Sequence, residues 1–106
     1  MTANITNPVV NAALAAISSG DRDTWLNLFS DDAILTDDGH NRGYIEWSDS
    51  ELFGAGKGRV TSVDRVENGG LTLHTHFHSD QWGDFTTFWK FQIEDGKITR
   101  LDVGAE

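Results

Sequence analysis

The last third of the chain carries the pattern that most restricts its fold. Apolar and polar residues alternate over residues 71–79 and again over residues 85–94, with a turn between them. A second turn, at Asp95 and Gly96, precedes a shorter strand-like run over residues 98–103. Alternation with a period of two is typical of strands that bury one face. Three consecutive strands joined by short turns predict an antiparallel sheet, which can curve around helices and enclose a pocket.

The first third of the chain predicts two helices joined by a minimal loop. Asn7 is a good N-cap, and a proline follows it at the first helical position, where its missing N–H costs nothing. The apolar side chains of the next residues share one face of a helix that runs to about residue 19. Gly20 suits the left-handed conformation that ends a helix. Asp21 then begins a second helix, which carries Trp25 and Phe29 on one face.

The middle of the chain predicts a strand, a short helix and the first arm of a hairpin. Residues 33–37 form an apolar run between acidic turn residues, which indicates a strand. Tyr44, Trp47 and Glu51 have helical spacing within the segment 43–53. The next elements are a flexible glycine-rich loop, a strand and a hairpin turn, at residues 54–58, 59–67 and 68–70. This order predicts an α+β fold with a curved antiparallel sheet wrapped around the N-terminal helices.

Size and composition exclude several classes of protein. A length of 106 residues predicts one domain, residues 1–106. The 17 acidic and 8 basic side chains give a formal net charge of −9, which repels phosphate backbones and anionic lipids, so we expect no nucleic-acid or membrane partner. The absence of cysteine excludes disulfides and thiolate chemistry. With neither a signal peptide nor an apolar span in the sequence, we expect a cytoplasmic protein.

Three blocks of the sequence resemble a known superfamily. The blocks are residues 18–35, the pair Arg42 and Gly43 before the predicted third helix, and residues 91–101. In their order and spacing they are similar to the nuclear transport factor 2-like superfamily, above all to its SnoaL-like branch, which shares the fold of polyketide cyclases and ketosteroid isomerases. The resemblance implies a cone-shaped, cystatin-like α+β fold with a pocket between the helices and the concave face of the sheet.

Strand alternation predicts which side chains line that pocket. The odd-numbered residues of both long strands carry the larger apolar side chains, so the odd-numbered face should be the inner one. Aromatic residues of the second and third helices add to this surface, and Trp89, in the middle of a strand, is the best single candidate for a pocket wall. The predicted ligand-binding residues are Trp25, Phe29, Trp47, Thr75, Phe77, Thr87 and Trp89. The alternative is that these aromatic side chains simply fill the cone.

Asp37 is the candidate catalytic residue. By the resemblance, Asp37 at the end of the first strand matches the general base of the ketosteroid isomerases, and a carboxylate enclosed by aromatic walls can move a proton to or from a carbon next to a carbonyl. The tyrosine donor and the partner acid of those enzymes fall near Ala13 and Thr87. Without an oxyanion hole, we do not expect steroid isomerisation by that mechanism. The alternative is that Asp37 is a turn residue beside Asp38 and Gly39.

His74, His76 and His78 form the sharpest local motif. Alternate residues of a strand lie on one face, about 6.6 Å apart, so adjacent imidazoles could share a metal ion with a third ligand such as Asp64 or Asp84. No second histidine cluster supports such a site. We therefore interpret the three as a ladder on the outer or interfacial face of the sheet, and we expect no metal and no cofactor. A bulge that turned the histidines inward is the remaining alternative.

Together these observations predict a domain whose pocket binds a small hydrophobic molecule and which forms a homodimer through the outer face of the sheet. One hypothesis is a proton-transfer enzyme of the isomerase, cyclase or dehydratase type that uses Asp37. The other is a non-catalytic ligand-binding or interaction module. Trp82 is too apolar for a plain turn tip, and it should pack either on a partner subunit or over the edge of the pocket.

Overall fold

In the computed structural model, which describes residues 5–54 and 57–106, three α-helices pack with one face of a six-stranded curved sheet that does not close. The helices and the sheet bury a common apolar core. The predicted α+β fold class is therefore confirmed. The elements are α1 (Pro8–Ser19), α2 (Arg22–Asn27), β1 (Phe29–Asp37), β2 (His40–Arg42), α3 (Tyr44–Glu51), β3 (Arg59–Glu67), a 3₁₀ turn (Asn68–Gly70), β4 (Thr72–Ser79), β5 (Gly83–Glu94) and β6 (Lys97–Ala105).

Caps define the first two helices as the sequence predicts. The side chain of Asn7 accepts hydrogen bonds from the first free N–H groups of α1, and Gly20 ends α1 with a φ of 70°. Asp21 caps α2 by accepting from the backbone and the hydroxyl of Thr24. The prediction that α2 carries Phe29 is wrong. The helix ends at Asn27, because the chain turns to pair with β6 and the next residues join β1.

The sheet has the strand order β2-β1-β6-β5-β4-β3. All neighbours are antiparallel except β1 and β6, which are parallel. The last strand of the chain therefore lies between the first long strand and the meander formed by β3, β4 and β5. This placement puts the end of β1, with Asp37, beside Val103 and on the same sheet as the inner face of β4 and β5.

The boundaries differ from the predictions in two places near the site. β1 begins at Phe29 rather than residue 33, because its first half pairs irregularly with β6 through a bulge between Phe29 and Ile34. The short strand β2 was not predicted, since three residues are too few to show alternation. The predicted flexible loop at residues 54–58 includes positions 55 and 56, which lie outside the described residues. Among the helices of the described ranges, none is long and apolar enough to cross a membrane.

The inner and outer faces of the long strands match the predicted alternation. Leu73, Thr75 and Phe77 of β4 are buried, as are Thr87 and Trp89 of β5. The histidines between the inward residues of β4 point to the outer face, so the alternative of inward histidines is wrong. The concave face therefore supplies the walls of any cavity inside the cone.

Candidate functional site

A cavity of about 650 Å³ lies between α3, the β1–β2 hairpin and the inner faces of β4, β5 and β6. This volume falls in the usual range for small-molecule sites. Apolar and aromatic side chains form its walls, and charged side chains lie at the end nearest the β1–β2 hairpin. The lining residues are Asp37, Asp38, His40, Arg42, Trp47, Glu51, Phe77, Trp82, Phe85, Thr87, Trp89, Val103, Gly104 and Ala105.

Asp37 lies at the carboxyl end of β1, where β2 and β6 flank it. The indole N–H of Trp47 donates a hydrogen bond of 2.8 Å to Asp37 Oδ2, so α3 fixes the orientation of the carboxylate. Within the described ranges, no hydrogen bond reaches the other oxygen, Oδ1. The arrangement leaves one carboxylate oxygen able to accept a proton or a hydrogen bond from a molecule in the cavity.

The aromatic rings of Trp47, Trp89 and Phe77 form a connected inner wall, and a fourth ring, Phe85, packs on it. The rings of Trp47 and Trp89 meet edge to face at a centroid distance of 6.3 Å, and Phe77 lies 5.9 Å from Trp89. Phe85 packs edge to face on Phe77 at 5.7 Å. Edge-to-face pairs fix the ring orientations and are worth about 0.5–1.5 kcal/mol each beyond their buried area. The wall is therefore rigid and apolar, and it suits a flat or alicyclic ligand.

A pair of threonines places one polar group in this wall. The hydroxyls of Thr75 and Thr87 lie 2.7 Å apart, and the indole N–H of Trp89 donates to both, at 3.1 and 2.9 Å. The pair has two hydroxyl protons, and the bond between the threonines uses one of them. Thr87 lines the cavity, so when Thr75 donates to Thr87, the Thr87 hydroxyl can donate to an oxygen of a bound molecule.

The β1–β2 hairpin brings two basic side chains to the same cavity. In the antiparallel register, His40 lies opposite Asp37 and Arg42 lies opposite Leu35. Side chains opposite one another in such a pair share a face of the sheet. His40 and Arg42 therefore lie on the same side of the sheet as Asp37, and both contribute to the cavity lining.

Solved structures of similar shape cover nearly the whole chain. An NTF2-like protein of unknown function from Cytophaga hutchinsonii matches with a TM-score of 0.73 and 15% identity, covering 100% of this chain and 95% of that one. A proposed polyketide cyclase from Pseudomonas putida matches with a TM-score of 0.69 and 22% identity, covering 97% and 90%. A Mycobacterium tuberculosis protein in complex with estradiol-17β-hemisuccinate matches with a TM-score of 0.72 and 17% identity, covering 90% and 88%.

The chain has the nuclear transport factor 2-like fold. The fold that the sequence resemblance implied is thereby confirmed. At these identities the similarity extends to the fold and not to an activity. No protein-family model matches the sequence, and no curated protein matches it.

Five of the eight predicted site residues meet at the cavity of this NTF2-like fold, and three do not. The five are Asp37, Trp47, Phe77, Thr87 and Trp89. Trp25 is fully buried, and its indole N–H donates to Ser48 Oγ at 2.8 Å. Phe29 stacks on Tyr44 at 5.0 Å, behind α3. Thr75 is 1% exposed and reaches the cavity only through Thr87. These three residues support the walls from outside the lining.

Sequence reasoning missed the charged and exposed side chains at the mouth of the cavity. His40 lies on a strand that was too short to predict, and Arg42 was noted only as part of the resemblance. Glu51 was used only for its helical spacing. The sequence did signal a role for Trp82, because an aromatic residue is unusual in a turn. Two positions were predicted for it, and the described residues show it at one of them, the edge of the cavity.

The outer face of this NTF2-like sheet carries histidine–carboxylate pairs. His74 contacts Glu67 and Glu106, each at 2.6 Å, and His76 contacts Asp64 at 2.5 Å. The pKa of Glu67 is lowered mainly by its hydrogen bond with His74. The Ser62 hydroxyl, followed by His76, lowers the pKa of Asp64. Across the described residues, no group of three or more side chains is arranged to hold a metal ion.

Proposed function

We propose that this protein binds a small hydrophobic molecule in the cavity. The observation that carries the proposal is a rigid aromatic wall, formed by Trp47, Phe77 and Trp89, facing a few polar groups in a space of about 650 Å³. Apolar pockets with a small number of convergent polar groups are typical of ligand sites. The Thr87 hydroxyl would donate to a ligand oxygen, and the aromatic rings would cover its apolar body.

Two neighbours of the same fold support this ligand class. One is the proposed polyketide cyclase from Pseudomonas putida, and the other is the Mycobacterium tuberculosis protein in complex with estradiol-17β-hemisuccinate. Steroids are fused-ring systems, and cyclised polyketides can be as well. A ring system of this kind, bearing a hydroxyl or carbonyl oxygen, is the ligand that the wall and Thr87 would accommodate.

We further propose that Asp37 acts as a general acid or base in proton transfer, in a reaction of the isomerase, cyclase or dehydratase type. Trp47 holds one oxygen of the Asp37 carboxylate, and the other oxygen has no hydrogen bond from the described residues while Asp37 lines the cavity. A base in this position would take a proton from a carbon next to a ligand carbonyl. His40 and Arg42 would face the negative charge that develops on the carbonyl oxygen, which is the role of an oxyanion hole.

The test measures exchange and binding separately, with 2-tetralone as the probe. Wild-type protein in D₂O should speed deuterium exchange at the carbons next to the carbonyl, followed by ¹H NMR. Asp37→Asn keeps an oxygen that can accept from Trp47, so binding should survive while the exchange rate falls about 10²- to 10⁴-fold. Loss of binding together with exchange would point instead to a structural role for Asp37.

A non-catalytic binding or interaction module is the second candidate. It is favoured if 2-tetralone binds in the cavity but exchanges no faster than in buffer.

In either case we propose a cytoplasmic homodimer in which a second copy covers the outer sheet face. Phe88 supports this arrangement, because it is an aromatic side chain on that face, packed beside Lys90 and only half-buried.

A further inference from the structure

We propose that Trp82 is the outer wall of the ligand site and that Glu51 positions it. The inference rests on the proposed ligand-binding function and adds a specificity for molecules with a flat ring at their outer end. Trp82 lies in the turn between β4 and β5, and its side chain lines the mouth of the cavity.

Trp82 differs from the other three tryptophans in its exposure. Trp25, Trp47 and Trp89 are 0%, 3% and 1% exposed, whereas Trp82 is 66% exposed. The inner rings pack against one another in edge or tilted contacts, but among the described residues no aromatic ring pairs with Trp82. A large apolar ring in water is unfavourable, and a ligand ring laid against it would remove that exposed area from water.

The turn that presents Trp82 is ordered by hydrogen bonds. The hydroxyl of Ser79, which is 2% exposed, accepts from the backbone N–H groups of Gln81 and Trp82, each at 3.1 Å. Gly83 follows with a φ of 88°, a conformation that favours glycine. These contacts fix the backbone on both sides of the indole, so the ring is held at the cavity mouth rather than placed there by chance.

A hydrogen bond across the mouth fixes the indole ring itself. Trp82 Nε1 donates to Glu51 Oε1 at 3.2 Å, which joins the β4–β5 turn to the last turn of α3. The other oxygen of Glu51, Oε2, accepts from the Ser50 hydroxyl at 2.7 Å, so Glu51 is itself anchored. Because the bond is made at the edge of the indole, it does not itself cover either face of the ring.

Glu51 and Trp47 are four residues apart on α3, so they lie on one face of the helix. Each is hydrogen-bonded to a residue of the cavity lining, Trp47 to Asp37 and Glu51 to Trp82. The helix thus orients one polar contact beside the β1–β2 hairpin and one aromatic contact at the β4–β5 turn. A ligand that reaches both would place its reactive carbon near Asp37 and its outer ring against Trp82.

Indole N–H signals in ¹H–¹⁵N NMR report directly on this arrangement. The four tryptophans give separate indole signals, and the Trp82 signal is the one missing from Trp82→Phe. We use 2-naphthol as a flat probe and cyclohexanol as a non-planar control. 2-Naphthol should shift the Trp82 signal together with those of Trp47 and Trp89, and cyclohexanol should shift the inner two only.

Matched variants separate stacking from folding. Trp82→Ala should weaken 2-naphthol binding roughly tenfold, and Trp82→Phe should restore most of it. Glu51→Gln keeps an oxygen acceptor and should bind 2-naphthol like the wild type. Glu51→Leu should bind 2-naphthol about three- to fivefold more weakly, and its Trp82 signal should be shifted even without ligand. Unchanged Trp25 and Trp89 signals show that each variant is folded.

The outcomes distinguish the two proposals. If 2-naphthol shifts the inner signals but Trp82→Ala binds it as tightly as the wild type, the role of Trp82 is refuted and the ligand-binding proposal stands. Equal behaviour of Glu51→Gln and Glu51→Leu would refute the positioning role of Glu51. If neither probe shifts any signal from the cavity, both the ligand site and its outer wall are refuted.

Discussion

At the scale of single residues, His78 has a carboxylate at each ring nitrogen. Nδ1 lies 2.5 Å from Asp84 Oδ1, and Nε2 lies 2.9 Å from Asp80 Oδ1. A neutral imidazole has only one N–H, so both contacts are hydrogen bonds only when the ring is protonated. Asp84 and then Asp80 raise the pKa of His78 above its usual value of 6.5, although burial and Arg59 act in the opposite direction.

The raised pKa of His78 predicts a pH-dependent contribution to stability. Because the folded pKa is above the unfolded one, the contribution is fully present below about pH 6.5 and is lost as the pH rises through the folded pKa. His78→Gln should therefore lower the melting temperature most below about pH 6.5, and the difference should shrink as the pH rises through the raised pKa of folded His78. Thermal unfolding from pH 5.5 to 9 measures it. A difference that does not change with pH would show that His78 acts by packing alone.

The residues of the site show what strand alternation can and cannot predict. Alternation placed Thr75, Thr87 and Trp89 on the inner face, and the structure places them there. Alternation predicts on which face of a sheet a side chain lies, but not which side chains of that face reach the cavity. It therefore could not distinguish Thr87 in the cavity wall from Thr75 behind it. Trp25 was expected at the pocket as an aromatic residue of the second helix, and it packs beneath α3 instead.

At the scale of elements, two bulges decide how β3 meets the core. Val60, Val63 and Val66 pair with Phe77, Thr75 and Leu73, although they are three residues apart along the chain. The register shifts at Thr61 and Asp64, where each bulge adds one residue on β3. A spacing of three is not typical of a plain strand, and the sequence predicted the strand from its composition and turn without predicting its bulges.

The bulges predict that two single-residue deletions in β3 will differ. Without Thr61, the pairing of β3 with β4 becomes regular at this point and keeps Val60 opposite Phe77 and Val63 opposite Thr75. The free energy of unfolding should therefore fall by only about 1 kcal/mol. Without Val63, Asp64 takes the buried place opposite Thr75, and the free energy of unfolding should fall by at least about 3 kcal/mol. Urea unfolding gives both values. Similar losses for the two deletions would mean that the bulges do not carry the register.

The contact between α3 and the β4–β5 turn lies beyond what the sequence could predict. Glu51 and Trp82 are 31 residues apart, and their hydrogen bond depends on how far the turn reaches over the helix. The caps of α1 and α2 were predictable, because each is made within a few residues of chain. Local signals therefore predicted the elements, and the mouth of the cavity required the tertiary structure.

At the scale of the whole molecule, charge is the property that would most affect association of two copies. The formal net charge is −9 with neutral histidines. His74, His76 and His78 lie on the outer sheet face, among carboxylates that they contact directly. Of these, His78 has a raised pKa, and two copies that meet through this face repel each other less when it gains a proton.

The proposed dimer should therefore become tighter in mild acid. Sedimentation and light scattering should show a mass of twice 11.7 kDa, with a dissociation constant that falls as the pH is lowered through the raised pKa of His78. His78→Gln should lose most of this dependence, and added salt should reduce it in the wild type. A monomer at every pH and concentration would refute the dimer.

The position of β6 between β1 and β5 has a consequence for how the protein is made. β6 is the only described strand that joins the β1–β2 hairpin to the β3–β5 meander. During synthesis, the two groups of strands leave the ribosome before the segment that unites them, so neither can complete the cavity before that segment emerges. Asp37 and Trp89 come to share one site only when Lys97–Ala105 has emerged and inserted. The proposed ligand site can thus form only after this segment has been translated.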